Sequence, residues 1–294
     1  MALAIHAYTA PPTPEATLGA LGPDPGPTSQ PDRRRRPRAP RSWRRWASPL
    51  AILACWELAS SSGLVSARKV PSPSTVWSTG AHLATSSSAA YGSLEADMAA
   101  SLERMAMGFS LGATAAILLA VVAGLSRWGE TVVDPPMQML RTLPLFGLVP
   151  VFIVWFGIGQ LPKVILIALA ASIPLYLNTF AGIRSVDAKL AELGHVLHLR
   201  RPEQLRYIVF PAALPQALVG LRQSLGVAWL ALVVAEQLNV SDGLGFMINQ
   251  ATQFLQNNVI FVALIVYTLL GLLTDAVVRL LERRALAWRR TLLA

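Results

Sequence analysis

The sequence predicts an all-α membrane protein with six transmembrane helices and a polar helix–turn–helix between the fourth and fifth spans. Three observations predict it. Hydrophobic residues make up 53% of the 294 and charged residues only 14%, with a mean hydropathy of +0.48; soluble domains carry about a quarter charged residues. Six apolar stretches are long enough, or nearly so, to cross a bilayer, which takes roughly twenty residues each. The cations collect at the ends of those stretches rather than on an aromatic-interleaved basic surface. The net charge of +9 therefore reflects membrane topology, not nucleic-acid binding.

Residues 1–46 read as a disordered basic cytoplasmic tail. The first thirty are rich in Pro, Gly, Ala and Thr without periodicity, and no basic start, compact apolar core and cleavage site mark a secretory signal. Eight arginines follow between Arg33 and Arg45, a cationic run suited to lipid headgroups.

Residues 47–294 form the transmembrane domain. The first span, about 49–65, is short and carries Glu57 and a serine triplet. Cys55, the one cysteine, lies inside it as a small hydrophobe, so no disulfide within the chain and no CxxC metal site is available. An external segment follows, with an amphipathic helix from about Gly92. The second span, 105–125, is uncharged. The third, 136–157, is interrupted by Pro144 and Pro150. The fourth, 164–183, contains Pro174 and Asn178. The fifth, 215–238, contains Arg222. An external segment, 239–258, is uncharged except for Asp242 and predicts a short helix on the outer rim. The sixth, 259–280, ends at Asp275 and Arg279. Prolines are acceptable in such spans because neighbouring helices satisfy the freed carbonyls.

Between the fourth and fifth spans lies an island of charge, residues 187–215. Leu190, Leu193, Val196 and Leu197 recur at helical spacing, and Leu205, Ile208 and Val209 do so again. Pro202 suits a helix's first turn, where its missing N–H has no intrahelical partner anyway. Pro211 and Pro215 are expected to stop the second helix and restart the chain at a new angle. With the basic tail inside, Arg127, the 184–206 cations and the C-terminal arginines are inside too. Only Arg68, Lys69, Arg104 and Lys163 lie outside. Both termini and the island are thus expected on the cytoplasmic side of the inner (plasma) membrane.

The island resembles the EAA loop of permease subunits of ABC-type importers, whose pattern is Glu-Ala-Ala, three residues, Gly, nine residues, Ile, one residue, Leu-Pro. Aligned on Pro211, Glu192 takes the Glu position, Leu193 and Gly194 the two Ala positions, His198 the Gly, Ile208 the Ile and Phe210 the Leu. His198 is the departure, because Gly would permit a left-handed turn there at little cost. The resemblance extends over about residues 48–285, through Pro71-Ser72-Pro73, the 124–130 stretch GLSRWGE, Gln138-Met139-Leu140-Arg141, Trp155-Phe156-Gly157-Ile158, Gly182-Ile183-Arg184, Val219-Gly220-Leu221-Arg222 and Ala235-Glu236. It points to the permeases of aliphatic-sulfonate importers, a group that also carries taurine and nitrate; within the same importer class, taurine, nitrate or a small heterocycle are the alternative substrates.

The resemblance implies that residues 187–211 form the coupling loop, received by a cleft on a cytoplasmic ABC ATPase subunit. Glu192 would transmit ATPase closure, or it only favours the positive end of a short helix. Leu193, Gly194, His198, Leu199, Arg200, Arg201 and Pro211 complete the loop. Arg141, Asn178, Arg222 and Glu236 are candidates for the translocation path, since polar groups at depth face water or a partner; interfacial anchoring and span packing are the alternatives. Arg222 and Glu236, about 21 Å apart along one helix, cannot pair with each other.

No GxxxxGK[ST], GxSxG or HExxH motif is present. The chain itself is expected to be non-catalytic, with no metal or cofactor, and ATP bound by the partner ATPase subunit. A periplasmic or lipid-anchored binding protein and a second copy of the chain are the other implied partners. An ion-coupled secondary transporter and a membrane scaffold for a cytoplasmic enzyme remain as other classes.

Overall fold

The structure is a computed structural model, and residues 42–63, 66, 69–86, 92–237 and 241–286 are described. The 1–41 part of the predicted tail, with most of its arginines, lies outside them. The chain divides at Leu50, with the second unit beginning at Ala51; of the first unit only the start of helix α1 (Ser42–Ser61) is described.

Every regular element among the described residues is helical. After α1 come α2 (Pro73–Thr85), α3 (Leu94–Leu125), α4 (Arg127–Thr142), a 3-10 turn (Leu145–Leu148), α5 (Val149–Phe156), α6 (Leu161–Arg184), α7 (Ala188–Val196), α8 (Arg201–Gln204), a π-helical turn (Leu205–Val209), α9 (Phe210–Glu236), α10 (Leu244–Gln253) and α11 (Asn257–Ala285). Side-chain caps set several starts: Ser72, Ser93 and Ser126 each accept from the third residue beyond, at Thr75, Ala96 and Gly129.

Four helices are long and apolar enough to cross a membrane: α3, α6, the continuous run Arg201–Glu236, and α11. The predicted third span is broken at Pro144, as expected, whereas Pro150 sits in the first turn of α5 and interrupts nothing. Leu143, before Pro144, adopts an extended conformation, as the residue before proline prefers, and separates α4 from α5. Eight residues give α5 only about 12 Å of rise. The amphipathic segment expected from Gly92 joins the second span as a single 32-residue helix.

The expected stop at Pro211 and Pro215 does not occur. The helix runs from Arg201 through both prolines to Glu236. The reason is the π turn ahead of Pro211, closed by a bond from the Phe210 N–H to the Leu205 carbonyl. Its wider hydrogen-bond register interrupts the α ladder where Pro211 can donate nothing.

α6 is the most buried of the four long helices and packs between α3 and α9. Small residues make this possible. Gly108 and Gly112 lie against Ile167 and Ala168, and a side chain at Gly112 would collide with the Ala168 backbone. On the other flank Gly182 meets Ala213, and Gly220 meets Asn178. Ala116, Ala120, Ala228, Ala231 and Ala235 are fully or almost fully buried. Close approach through small residues is how helices associate where lipid removes the hydrophobic drive between them. The contacts give α3 parallel to α6, and α9 antiparallel to both α6 and α11. One end of the bundle therefore carries α10 and Glu236, and the other carries α7 and α8.

Candidate functional site

The three parts of the molecule with functional potential are the helix pair at one end, a buried charge cluster toward the other, and a set of amides on the open face of α6 and α9.

At the first end, α7 closes through a left-handed residue. Leu199 N–H donates to the Gly194 carbonyl at 3.0 Å, and His198, with φ of 52°, is the residue between cap and closure, an arrangement usually reserved for Gly. The structure thus places the left-handed turn at the residue where the sequence departs from the loop pattern. Arg200 N–H donates to Glu203 Oε2 at 2.7 Å, and Pro202 sits in the first turn of α8. Gly194 is buried beneath Ile208 and Gln204, where a side-chain methyl would stand 2.9 Å from Ile208 Cδ1. Glu192, Leu193, His198, Arg200 and Arg201 are exposed, while Leu199 and Pro211 are half-buried. Near this end Arg184 pairs with Glu130. Arg222 pairs with Glu282 and approaches Asp275 at 3.6 Å. Arg141 is exposed in the last turn of α4.

Toward the other end stands Arg104, 1% exposed, opposite Glu236, 0% exposed. Arg104 donates to Gln160 Oε1, to Glu236 Oε1 at 2.6 Å, to the Asp242 carbonyl at 3.1 Å and to Asp242 Oδ1. Glu236 Oε2 accepts from Ser101 Oγ at 2.8 Å, Tyr267 OH at 2.6 Å and Gly245 N–H at 3.1 Å. Lys163, buried in the first turn of α6, adds a second cation to the field. A buried guanidinium and carboxylate persist only when their hydrogen-bonding groups find partners; four bonds leave the Arg104 guanidinium and both Glu236 oxygens are bonded, while Asp97 Oδ2 has no partner among the described residues.

The cluster also caps α10. The N–H groups of Gly243, Leu244 and Gly245 donate to Asp97 Oδ1, Ser101 Oγ and Glu236 Oε2. Those are N–H groups that no carbonyl inside the helix can reach, and two of the three acceptors carry negative charge, which favours the positive end of the helix. Gly243 has φ of 102° and lies against Arg104 and Glu236, so a side chain there meets both strain and collision. Arg104 and Tyr267 are each ten residues into α3 and α11, about 15 Å along them. α10 accordingly does not lie on the rim as expected. It starts inside the bundle and buries Leu244, Met247, Ile248 and Ala251, because its start needs those acceptors and its apolar face needs cover.

The sequence singled out Glu236 but left Arg104 as an outer flanking cation and Asp242 as a lone charge of an external segment, and passed over Asp97, Ser101 and Tyr267. One signal was available: Asp97, Ser101 and Arg104 recur at helical spacing on one face. Its partners on α9, the 241–243 turn and α11 are distant in sequence and carry no local sign.

On the open face, Asn178 Nδ2 donates to the Pro174 carbonyl at 2.8 Å and to Gln223 Oε1 at 3.0 Å, and Asn178 Oδ1 accepts from Gln216 Nε2 at 2.9 Å. Of the four predicted path residues the structure brings none into contact with another. Glu236 is sealed in the cluster, Arg222 is ion-paired, Asn178 is in the amide set, and Arg141 stands apart. No group of three or more His, Cys, Asp or Glu with metal-site geometry occurs among the described residues.

Residues 112–286 match the family of binding-protein-dependent transport system inner membrane components. A protein of Bacillus subtilis (strain 168) named as the aliphatic sulfonates transport permease SsuC is 45% identical over 83% of this chain and 86% of its own length. Its namesake in Escherichia coli (strain K12) is 41% identical over 83% of this chain and 90% of its own. The crystal structure of an amino acid ABC transporter with histidines shares the fold, with a TM-score of 0.54 at 18% identity over 64% of this chain and 92% of that one.

Proposed function

The chain belongs to the family of binding-protein-dependent transport system inner membrane components, and from that premise we propose that it is the permease of an ATP-driven importer carrying aliphatic sulfonates across the inner membrane. The observation that carries the mechanism is the polar pair α7–α8, held between the long helices α6 and α9 with Glu192, Arg200 and Arg201 exposed. This pair docks into a cytoplasmic ABC ATPase subunit. Closure of two ATPases around ATP draws two such pairs together, one from each copy of a homodimer, and opens the pathway outward. A periplasmic or lipid-anchored binding protein then delivers the anion.

Six crossings are proposed: α1, the broken pair α4–α5, and the four long helices. Both termini and α7–α8 then lie in the cytoplasm, in keeping with the distribution of arginines. The Arg104–Glu236 cluster and α10 then lie toward the outer side, and the Arg184–Glu130 pair toward the inner. The sulfonate assignment rests on the names of the two bacterial relatives.

The test is capture of a Walker-motif ATPase from solubilised membranes, comparing wild type with Glu192→Ala/Arg200→Ala/Arg201→Ala. Co-purification with wild type and its loss in the triple variant is expected. Failure of wild type to retain any ATPase would sink the importer reading in favour of ion-coupled transport. Uptake of an alkanesulfonate, but not of taurine or nitrate, by a permease-deficient host supplied with the complete importer is expected for the substrate.

A further inference from the structure

We propose that the amide ladder Gln216–Asn178–Gln223 lines the water-filled pathway and hands on the anionic head of the substrate, while Val219 and Leu230 on the same stripe receive its alkyl chain. The proposal rests on the importer reading above and assigns residues to the passage itself.

Gln216, Val219, Gln223, Gly226 and Leu230 recur at intervals of three and four along α9, so they share one face, and all five are exposed. The adjoining Ser224 donates to the Ala171 carbonyl, near the middle of the 24-residue α6. Gln223 is therefore level with the middle of a membrane-crossing helix, within a hydrocarbon core of about 30 Å. Amide N–H groups left without an acceptor are costly against lipid tails, so three clustered amides with donors to spare argue against a lipid-facing stripe.

The bonding leaves donors to spare. Both Asn178 N–H groups are used, on Pro174 and Gln223, and one Gln216 N–H on Asn178. The other Gln216 N–H and both of Gln223 meet no acceptor among the described residues, and no atom lies within 4 Å of where a Gly226 side chain would begin. Sulfonate oxygens only accept hydrogen bonds, so unpaired amide donors fit them. Being neutral, these donors hold an anion weakly enough to let it leave, as conduction requires.

The test uses the complete importer in proteoliposomes with Cys55→Ser, which removes the chain's one cysteine. Single cysteines replace Gln223, Gly226 and, as a control on the exposed surface of α3, Leu118. A charged methanethiosulfonate modifies only a wetted thiolate. Reaction at 223 and 226 is expected to be roughly tenfold or more faster than at 118, because hydrocarbon suppresses the thiolate, and excess alkanesulfonate should slow it. A second arm keeps the native cysteine: Gln223→Glu should cut sulfonate uptake with ATP hydrolysis retained, and Gln223→Met should change the preference for chain length. Slow labelling at 223 and 226 in a complex that imports sulfonate, or wild-type uptake in both Gln223 variants, would overturn the ladder alone. Rapid labelling that no alkanesulfonate slows would instead overturn the sulfonate assignment.

Discussion

Arg104 and Glu236 are 132 residues apart in the chain and 2.6 Å apart in space, and neither meets solvent. This single pair ties α3 to the end of α9 and, through Gly245 and Asp242, holds the start of α10 inside the bundle.

Removing one partner of such a pair leaves the other charged and buried, a loss of about 3–5 kcal/mol. Arg104→Met should therefore lower the unfolding free energy of the detergent-purified protein by that order. Arg104→Met with Glu236→Gln should recover part of the loss, since no charge is stranded. Unfolding curves for the four proteins of the cycle measure the coupling. A loss in the double variant equal to the sum of the losses in the two single variants would show that the pair carries no coupling energy.

His198 holds a left-handed conformation that costs an L-residue about 1–2 kcal/mol. His198→Gly is expected to stabilise the α7–α8 turn by about 1 kcal/mol, and His198→Val to weaken it. Hydrogen exchange at Leu197 and Leu199, whose N–H groups close the turn, reports each change locally. Slower exchange in the Val variant than in wild type would refute the strain.

Gly112 has the Ala168 backbone where a side chain would start, whereas Gly226 faces open space. Gly112→Leu should prevent α3 and α6 from closing and yield little monodisperse protein. Gly226→Ala should express and melt as wild type, or gain a few tenths of a kcal/mol from the better helix former. Size-exclusion profiles and thermal melts distinguish the two.

Glu192 is exposed on α7, so its removal should cost little stability. Glu192→Ala is expected to insert at normal levels while uptake by the assembled importer is lost. Membrane fractionation alongside uptake measures both. Undiminished uptake would remove Glu192 from the coupling step.

Several elements were legible because their causes are local. The apolar runs behind α3, α6 and α11 are long enough to write their own spans, and Pro202 and the period of Leu190, Leu193 and Val196 announce the α7–α8 pair. The family likeness was visible for the same reason, since short stretches of sequence carry it. A boundary failed where one hydrogen bond decides, since the π turn carries the helix past Pro211, whereas the break before Pro144 was legible because proline acts on the residue next to it.

What the sequence determined by itself is the helical class, the long spans and the polar pair between two of them, because hydropathy and period act over a turn or a bilayer's thickness. What only the tertiary structure decided is the meeting of Arg104, Glu236 and α10, and of Asn178 with Gln216 and Gln223. Those groups come from separate helices. Their pairing follows from which small residues let α3, α6 and α9 approach, and from the high cost of any buried polar group left without a partner.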